Sequence, residues 1–257
     1  MPEGLEAELY RRAASEVVGR TVASVDVDET QQMAAELRRE LPGRTVVGAH
    51  RRGKHVVLDL DDGHDLGLHF GMTGRLVVDG DPAIERLEYA SHRDDPAWDR
   101  LVVTFTDGSI LRVNDPRRWA VFTLDPDLRR LGPDFLDLTV DVLAERLARR
   151  RAAVKAVLLD QSVVAGFGNM CVDEVLWQAG VSPLAPAGEL SHCQLAAIVE
   201  AANEHLPEML VRGGSHTGVL DPEVRANLPP CPRDGGSLRR DTVGGRTTVW
   251  CPVHQAG

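Results

Sequence analysis

Short runs in which apolar and polar residues alternate dominate the first half of the chain. This two-residue period is typical of β-strands with one buried face. It predicts strands at residues 21–27, 45–49, 56–60, 65–69, 76–78, 101–106 and 110–113. Asp107-Gly108 separates the last two runs and predicts a hairpin, and a polar loop is expected at 79–99. Helices are predicted in the same half at 5–18 and 31–41.

The apolar spacing changes to a helical period in the second half. Asp125-Pro126-Asp127 and Gly132-Pro133-Asp134 indicate a linker between the two halves. Helices are predicted at residues 140–150, 153–159, 169–178 and 191–210. From Leu228 onward the chain is rich in Gly, Pro and Arg and poor in apolar pattern. Such a segment needs a metal ion or a partner domain to hold it.

Composition narrows the class of protein. The chain has 257 residues, 43% hydrophobic and 26% charged, which is typical of a soluble globular protein. No long apolar run or signal-like start is present, so no membrane insertion and a cytoplasmic location are expected. The net charge of -10 argues against bulk attraction to nucleic acid, although a local basic face remains compatible with it. Cys171 and Cys193 lack partners at ligand spacing and are predicted to be buried thiols.

The chain begins Met1-Pro2-Glu3. A methionine before a small residue is normally removed, which would leave Pro2 with a free secondary amine. An α-amino group titrates near ~7.7–8.0, so much of it is an unprotonated nucleophile at neutral pH. Such an amine can form a Schiff base with an aldehyde-level carbon, and Glu3 could move protons for that attack. On these residues alone, a glutamate in the first turn of a helix is the simpler interpretation.

The most specific stretch is residues 158–169, Leu-Leu-Asp-Gln-Ser-Val-Val-Ala-Gly-Phe-Gly-Asn. One helix is predicted to end there, and Asn169 is expected to cap the next, whose free N–H groups would suit a phosphate. An ordinary corner between two helices is the alternative. The run closely resembles the helix-two-turns-helix motif of the formamidopyrimidine-DNA glycosylase/endonuclease VIII family, which grips the phosphates of damaged DNA. The resemblance implies DNA contacts for Lys155, Asn169 and Glu174.

The same resemblance implies catalytic roles. Family members begin Pro-Glu after methionine removal, so Pro2 would attack C1′ of the damaged nucleotide while Glu3 handles protons. Lys54 matches a family lysine that binds the phosphate beside the lesion and is implicated in the reaction. Arg246 matches an arginine that grips the phosphate on the lesion side. We therefore predict Pro2, Glu3, Lys54 and Arg246 as the catalytic set.

Two loops resemble the formamidopyrimidine branch of the family. Met72 matches a methionine that fills the gap left by a flipped base, although such a residue is usually core filler. Asp115-Pro116-Arg117-Arg118-Trp119 matches a loop in which the first arginine pairs with the orphaned base and an aromatic residue enters the stack. Arg117 and Trp119 would take those roles. Extruding a base costs roughly a few kcal/mol, which inserted side chains offset.

The tail resembles the C-terminal zinc finger of the family. Cys231 and Asp234 form one pair, Cys251 and His254 the other, with two residues inside each pair and sixteen between the pairs. The family uses four cysteines, but Zn²⁺ also accepts imidazole nitrogen and carboxylate oxygen. These four residues are the predicted ligands of a structural zinc ion. His216 replacing Asp234, or a finger without zinc, are the alternatives.

The resemblance covers nearly the whole chain and implies a multidomain α+β protein. Residues 1–125 would form an N-terminal β-sandwich with an N-terminal helix, 126–222 a helix-two-turns-helix domain, and 223–257 a β-hairpin zinc finger. The implied function is a bifunctional DNA glycosylase/AP lyase of base excision repair. It would act as a monomer on damaged double-stranded DNA at the nucleoid, and cleave the strand by β,δ-elimination without a catalytic cofactor.

The sequence leaves alternatives open for the preferred lesion and for the class of protein. Pro2-Glu3-Gly4 resembles the endonuclease VIII branch, which prefers oxidised pyrimidines, whereas the Met72 and Arg117 loops resemble the branch acting on oxidised purines such as 8-oxoguanine and formamidopyrimidine. Residues 212–227, where a lesion-covering loop would lie, depart from both branches. A non-catalytic damaged-DNA-binding protein of the same fold and a zinc-finger transcription regulator are the rival classes.

Overall fold

A computed structural model of the chain describes residues 2–85, 87 and 93–256. The chain divides into two compact units. One contains Pro2 and Glu6–Arg129, and the other contains Glu3–Leu5 and the chain from Arg130 onward. The predicted loop at 79–99 includes residues 86 and 88–92, which lie outside the described residues.

The first unit is a β-sandwich of two antiparallel sheets. Its strands are β1 (Val22–Val27), β2 (Val46–Arg52), β3 (His55–Leu60), β4 (Asp65–His69), β5 (Arg75–Val78), β6 (Asp81–Pro82), β7 (Asp99–Phe105), β8 (Ile110–Asn114) and β9 (Val121–Leu124). The strand order is β1-β7-β8-β5-β6 in one sheet and β2-β3-β4-β9 in the other. Each predicted strand is confirmed, and β6 and β9 are additional.

Alternate residues of these strands build one core between the sheets. Val56 and Leu58 of β3, Leu68 of β4 and Phe122 of β9 are all buried in it. Two helices, α1 (Gly4–Ala14) and α2 (Ala34–Glu40), add apolar side chains to the same core. Both helices are shorter than predicted: α1 continues only as a 3-10 turn, and α2 follows a turn in which the Gln31 N–H donates to the Asp28 carbonyl.

The second unit is mainly helical and ends in a hairpin. Its elements are α3 (Val140–Leu147), α4 (Val154–Leu158), α5 (Asn169–Gln178), α6 (His192–Arg212), α7 (Pro222–Asn227), β10 (Arg239–Val243) and β11 (Arg246–Trp250). Ser191 and Gln194 form a capping box at the start of α6, and Gly213 ends that helix with φ +112°. The four predicted helices are confirmed, α7 is additional, and α3 ends earlier than predicted. No helix in the described ranges is long and apolar enough to cross a bilayer.

The C-terminal hairpin is attached to α5 by apolar packing. Trp177 of α5 shares a small buried cluster with Cys231, Leu238, Val249 and Cys251. This cluster supplies the core that the tail's own sequence lacks, so the hairpin folds against a helix of the same unit.

A buried ionic network makes a second attachment. The Lys155 ammonium lies 2.7 Å from Oδ1 of Asp173, and the Arg225 guanidinium lies 2.7 Å from Oδ2. Lys155 and Arg225 also donate to the Thr247 carbonyl on β11, each at 3.1 Å, and the Val249 N–H donates to Asp173. Burial lowers the pKa of Lys155, and the Asp173 carboxylate opposes that shift. Removing one member of such a buried group leaves a charge uncompensated.

Asp173→Asn should therefore destabilise the second unit. We expect a loss of roughly 3–5 kcal/mol in unfolding free energy, because two buried cations lose their anion. The measurement is urea unfolding of the full chain followed by circular dichroism. Glu208→Gln is the control, since Glu208 faces Arg212 at 3.9 Å on an exposed surface of α6 and should change stability by less than about 0.5 kcal/mol. Equal midpoints for the two variants would contradict the network's role.

Candidate functional site

Glu3 lies at the start of α5. Its carboxylate oxygens accept hydrogen bonds from the backbone N–H groups of Met170, at 2.8 Å, and Cys171, at 3.0 Å. The residue is 2% exposed, and a Cβ on Gly168 would lie 2.1 Å from its carboxyl carbon. The amide of Gly4 donates to the Gly166 carbonyl at 2.9 Å. Because a helix N-terminus stabilises an anion, Glu3 is fixed there and Pro2 is one peptide bond away.

This arrangement corrects the predicted role of the α5 N-terminus. Gly168 is the N-cap and makes no side-chain cap, so Asn169 is the first helical residue instead of the cap. The N–H groups of Met170 and Cys171, expected to be free for a phosphate, are occupied by Glu3. Oδ1 of Asn169 is buried and accepts no hydrogen bond within the described chain.

Gln161 holds the glycine turn between α4 and α5. Its Nε2 donates to the carbonyls of Leu159, at 3.0 Å, and Phe167, at 2.9 Å, while its Oε1 accepts from the Gly166 N–H at 3.0 Å. The sequence interpretation missed this role, because an isolated glutamine carries no local signal for bonds that depend on the path of the turn.

Lys155 and Glu174 lie in the interior. Lys155 is 0% exposed, and the three donors of its ammonium face Asp173, Thr248 and the Thr247 carbonyl. Glu174 is 2% exposed and accepts from the Leu220 N–H at 2.8 Å. The direct DNA contacts predicted for both residues do not agree with this burial, since no donor of Lys155 is left to meet a phosphate. Both side chains position neighbouring segments.

Lys54 lies at the tip of the β2–β3 hairpin. Arg52 pairs with His55 across the strands, so Gly53 and Lys54 form a two-residue turn in which Gly53 has φ +57°. Lys54 is half-buried. The Arg51 side chain donates to the Gly53 carbonyl at 2.9 Å, which braces the turn from the strand beneath.

The Arg51 side chain also contacts α1. Its Nε lies 3.4 Å from the carboxylate of Glu8. Burial raises the pKa of Glu8, but hydrogen bonds from Arg11 and Arg12 and the charge of Arg51 bring that pKa below its ordinary value. The brace behind Lys54 therefore contains an ionised carboxylate.

Met72 and Trp119 lie on adjoining turns. Gly71 has φ +58°, and a Cβ on it would lie 2.5 Å from the Trp119 carbonyl oxygen, so only glycine fits. The turn closes with a hydrogen bond from the Gly74 N–H to the Phe70 carbonyl at 2.9 Å, and it leaves Met72 half-buried.

Asp115 shapes the loop that carries Arg117 and Trp119. It is 0% exposed, and its carboxylate accepts N–H bonds from Arg117, at 3.1 Å, Trp119, at 2.7 Å, and Ala120, at 2.8 Å. The Thr73 hydroxyl also donates to it, which ties the two turns together. An aspartate before proline is a known turn signal, but the sequence did not indicate three backbone partners.

Arg117 and Trp119 project from this loop. Both are exposed, Trp119 by 49%, and the Arg117 guanidinium carbon lies 4.5 Å from the centre of the Trp119 ring. This is a cation–π contact that keeps the two side chains together. The structure thus brings Met72, Arg117 and Trp119 to two turns joined through Asp115.

His69 is a site residue that the sequence interpretation missed. Its Nδ1 accepts from the Gly71 N–H at 3.3 Å, and its ring lies 4.8 Å from that of His55, its cross-strand partner. Burial, with the charges of His55 and Lys54, lowers the pKa of His69 to about 4. The imidazole is therefore neutral at pH 7 and supports the turn that carries Met72.

Three of the four predicted zinc ligands come together. Ligand atoms of Cys231, Asp234 and Cys251 all lie within 4.8 Å of one another, and two thiol sulfurs with a carboxylate suit Zn²⁺. These residues could hold a metal ion. Neither His254 nor His216 belongs to the group among the described residues.

His254 has a different partner. Its Nε2 lies 2.7 Å from the Trp177 carbonyl, near the end of α5, and its ring packs edge-on against the Trp177 ring. Arg246, at the tip of the β10–β11 hairpin, is exposed. Cys171 is buried, but Cys193 is exposed on α6, so the prediction of a buried thiol there is wrong.

Comparisons with known proteins agree over the whole chain. Residues 1–122 match the model of the formamidopyrimidine-DNA glycosylase N-terminal domain, and residues 131–221 match that of the formamidopyrimidine-DNA glycosylase H2TH domain. A formamidopyrimidine-DNA glycosylase of Xanthomonas campestris pv. campestris is 34% identical, over 99% of this chain and 100% of its own length. One of Paracoccus denitrificans is 33% identical over 99% and 100%.

Solved structures give the same result. The complex between a Lactococcus lactis FPG variant and a Fapy-dG containing DNA matches with a TM-score of 0.82 and 26% identity, covering 100% of both chains. The Lactococcus lactis enzyme bound non-covalently to DNA containing an AP site matches with a TM-score of 0.83 and 28% identity, covering 99% of this chain and 100% of that one.

Protonation of His69 should destabilise the first unit. Its pKa of about 4 in the folded chain lies below the ordinary 6.5, so the stabilising effect of neutral His69 is complete above pH 6.5 and is lost as the pH falls towards 4. The full effect is of the order of 3 kcal/mol. The measurement is unfolding free energy from pH 7 to 4.5 for the wild type and His69→Gln, and the wild type should lose more. His192→Gln, exposed on α6, is the control; parallel curves for wild type and His69→Gln would refute the assignment.

Proposed function

Because the chain belongs to the formamidopyrimidine-DNA glycosylase family, we propose that it is a bifunctional glycosylase and AP lyase that removes oxidised bases from double-stranded DNA. The names of its relatives and the DNA bound in the similar structures support the glycosylase activity. The same names, with Met72 and the Arg117 loop, favour oxidised purines over oxidised pyrimidines as the lesion.

The observation that carries the proposal is the anchored Glu3 carboxylate. It accepts two N–H bonds at the start of α5, within the turn-containing segment that resembles a phosphate-gripping motif. These two hydrogen bonds fix Glu3, the residue that follows Pro2. Because Pro2 is bonded to a fixed residue, its amine is restricted in position, which supports a role for it as the nucleophile.

The proposed reaction begins at the Pro2 nitrogen. The amine attacks C1′, the bond from C1′ to the base breaks, and the base leaves with a proton. The nitrogen loses its own proton, and the bond from C1′ to O4′ then breaks as O4′ takes up a proton, which yields an iminium whose C2′ protons are acidic. Loss of a C2′ proton breaks the bond from C3′ to oxygen by β-elimination, and a further proton loss breaks the bond from C5′ to oxygen by δ-elimination. Water then releases Pro2, with Glu3 as the proton carrier.

The remaining residues would bind and position the DNA. Lys54 and Arg246 would contact the phosphates beside the lesion, because both occupy hairpin tips. Met72, Arg117 and Trp119 would fill the space left by the extruded nucleotide, because the half-buried Met72 and the exposed Arg117 and Trp119 stand on two rigid turns. Asn169, at the first position of α5, would meet the backbone through its side-chain amide.

We propose that Cys231, Asp234 and Cys251 hold a structural zinc ion, which ties the hairpin tail together and takes no part in the reaction. In this proposal His254 is not a zinc ligand, and its ring stays bonded to the Trp177 carbonyl.

We also propose that the chain divides into a sandwich at 1–125, a helical domain at 126–222 and a finger at 223–257. The separation of the units at Arg129 and Arg130 supports the first boundary.

Borohydride trapping tests the proposed chemistry. The wild type, mixed with duplexes containing 8-oxoguanine, thymine glycol or an abasic site, should form a covalent adduct on reduction, strongest for the purine lesion and the abasic site. Pro2→Gly, and a short peptide placed before Pro2, should lower the adduct about a hundredfold, because the amine is changed or displaced. The same peptide at the C-terminus is the control. Binding without any adduct would favour a non-catalytic damaged-DNA-binding protein, and an undiminished adduct in the extended chain would show another nucleophile.

Metal content tests the proposed zinc site. The purified wild type should contain about one zinc ion per chain by mass spectrometry. Asp234→Ala should lose most of it, because one of three clustered donors is removed, whereas His254→Ala should keep it. Loss of zinc from His254→Ala with retention in Asp234→Ala would reverse the ligand assignment, and a wild type without zinc would remove the site.

A further inference from the structure

The loop that carries Arg117 rests on a buried arginine from another strand. Arg100 of β7 is 5% exposed. Its Nε donates to the Asp115 carbonyl at 2.9 Å, one terminal nitrogen lies 2.8 Å from Oδ2 of Asp28, and the other donates to the Ala97 carbonyl at 3.1 Å. A planar guanidinium with three partners in fixed directions holds the Asp115 backbone in place.

Asp28 keeps Arg100 in this orientation. Its carboxylate accepts hydrogen bonds from the N–H of Thr30, at 3.0 Å, and its hydroxyl, at 2.8 Å. The Thr30 N–H is the main cause that lowers the pKa of Asp28 to about 2, with Arg100 and Arg118 adding to it against the effect of burial. Asp28 therefore stays ionised at any pH at which repair operates.

The same turn also holds the far end of the loop. Nε2 of Gln31 donates to the Ala120 carbonyl at 2.9 Å, and the Phe122 N–H lies 3.4 Å from its Oε1. The Gln31 N–H donates to the Asp28 carbonyl, so both side chains project from one closed turn after β1. Asp28 holds the start of the 115–120 loop through Arg100 and also lies 3.7 Å from the guanidinium of Arg118 in the loop, and Gln31 holds the end of the loop.

We propose that Asp28, Gln31 and Arg100 are positioning residues that set the opposite-base preference of the enzyme by fixing where the Arg117 guanidinium lies. This inference rests on the proposed function, in which Arg117 meets the orphaned base. An arginine offers only donors. Unpaired cytosine presents two adjacent acceptors, O2 and N3, whereas adenine presents one acceptor beside an amino donor. Arg117 should therefore favour cytosine, and only while its position is held to within about an ångström.

A merely structural role would change stability without changing this preference. The quantity to measure is therefore the ratio of kcat/KM for the lesion opposite dC to that for the lesion opposite dA. Both values scale with the fraction of folded enzyme, so partial unfolding cancels in the ratio. Arg117→Ala supplies the ratio expected when base contact is lost.

The key variants are Arg100→Met and Asp28→Asn. We expect each to lower the ratio about tenfold, towards that of Arg117→Ala, as loss of one good bidentate contact would. The double variant should have a ratio between that of Arg100→Met alone and that of Arg117→Ala, because Asp28 also pairs with Arg118 of the loop at 3.7 Å. Arg100→Lys should recover part of the ratio, since it keeps the charge opposite Asp28 but cannot serve three partners.

Arg20→Met is the matched control. Arg20 belongs to the same unit and pairs with Asp79 at 2.8 Å, so its loss also removes an arginine–aspartate pair. It makes no bond to the 115–120 loop among the described contacts, and its ratio should equal that of the wild type. Gln31→Leu, which removes the hold on Ala120, should lower the ratio.

Each remaining outcome overturns the inference at an identifiable step. A wild-type ratio in Arg100→Met, with a lowered ratio in Arg117→Ala, would mean that the buried pair only supports the fold. A wild-type ratio in Arg117→Ala would mean that Arg117 does not read the opposite base. A wild type without excision of any oxidised base would refute the proposed function itself.

Discussion

The position of the N-terminal segment depends on one long-range interaction, the acceptance of two α5 backbone N–H groups by the Glu3 carboxylate. Several local features follow from it. Gly168 must lack a side chain because the carboxyl carbon occupies the space of its Cβ, and Gly4 approaches the Gly166 carbonyl closely enough for a hydrogen bond. A helix start can bind a free anion, but here Glu3 occupies two of its N–H groups, so these groups fix the Pro2-Glu3 segment instead of a phosphate.

Charged residues in the interior also bind groups within the chain, whereas others remain accessible to solvent. Lys155, Asp173 and Arg225 are buried together and hold β11, the strand that begins with Arg246. Taking charges out of water is unfavourable unless they are paired and hydrogen-bonded, and here every partner lies within the same unit. Lys54 and Arg246, at hairpin tips, and Arg117, on a turn, instead lie where solvent reaches them. Motif position alone does not distinguish the two groups.

The sequence predicted elements well and interactions poorly. Alternation located seven strands, and helical spacing located the long helices, because both patterns report which face is buried. The four-residue β9 and the six-residue α7 were missed, since such short runs contain too few periods to be recognised. Motif resemblance placed Arg117 and Trp119 on one exposed loop. It could not place Lys155 inside, because burial of a lysine depends on the strand that packs over it.

The two buried carboxylates that shape the site differ in how far a sequence can reveal them. Asp115 binds amides two, four and five residues later, so its turn is encoded locally and the Asp-Pro signal announces it. Glu3 binds amides that are distant in sequence, and only the folded chain brings them together. The same chemistry, a carboxylate accepting several backbone N–H groups, fixes an exposed loop in one case and the segment beside Pro2 in the other. Side chains that act on a nucleic acid must stay exposed, and anchors of this kind beneath them are one source of the rigidity that their position requires.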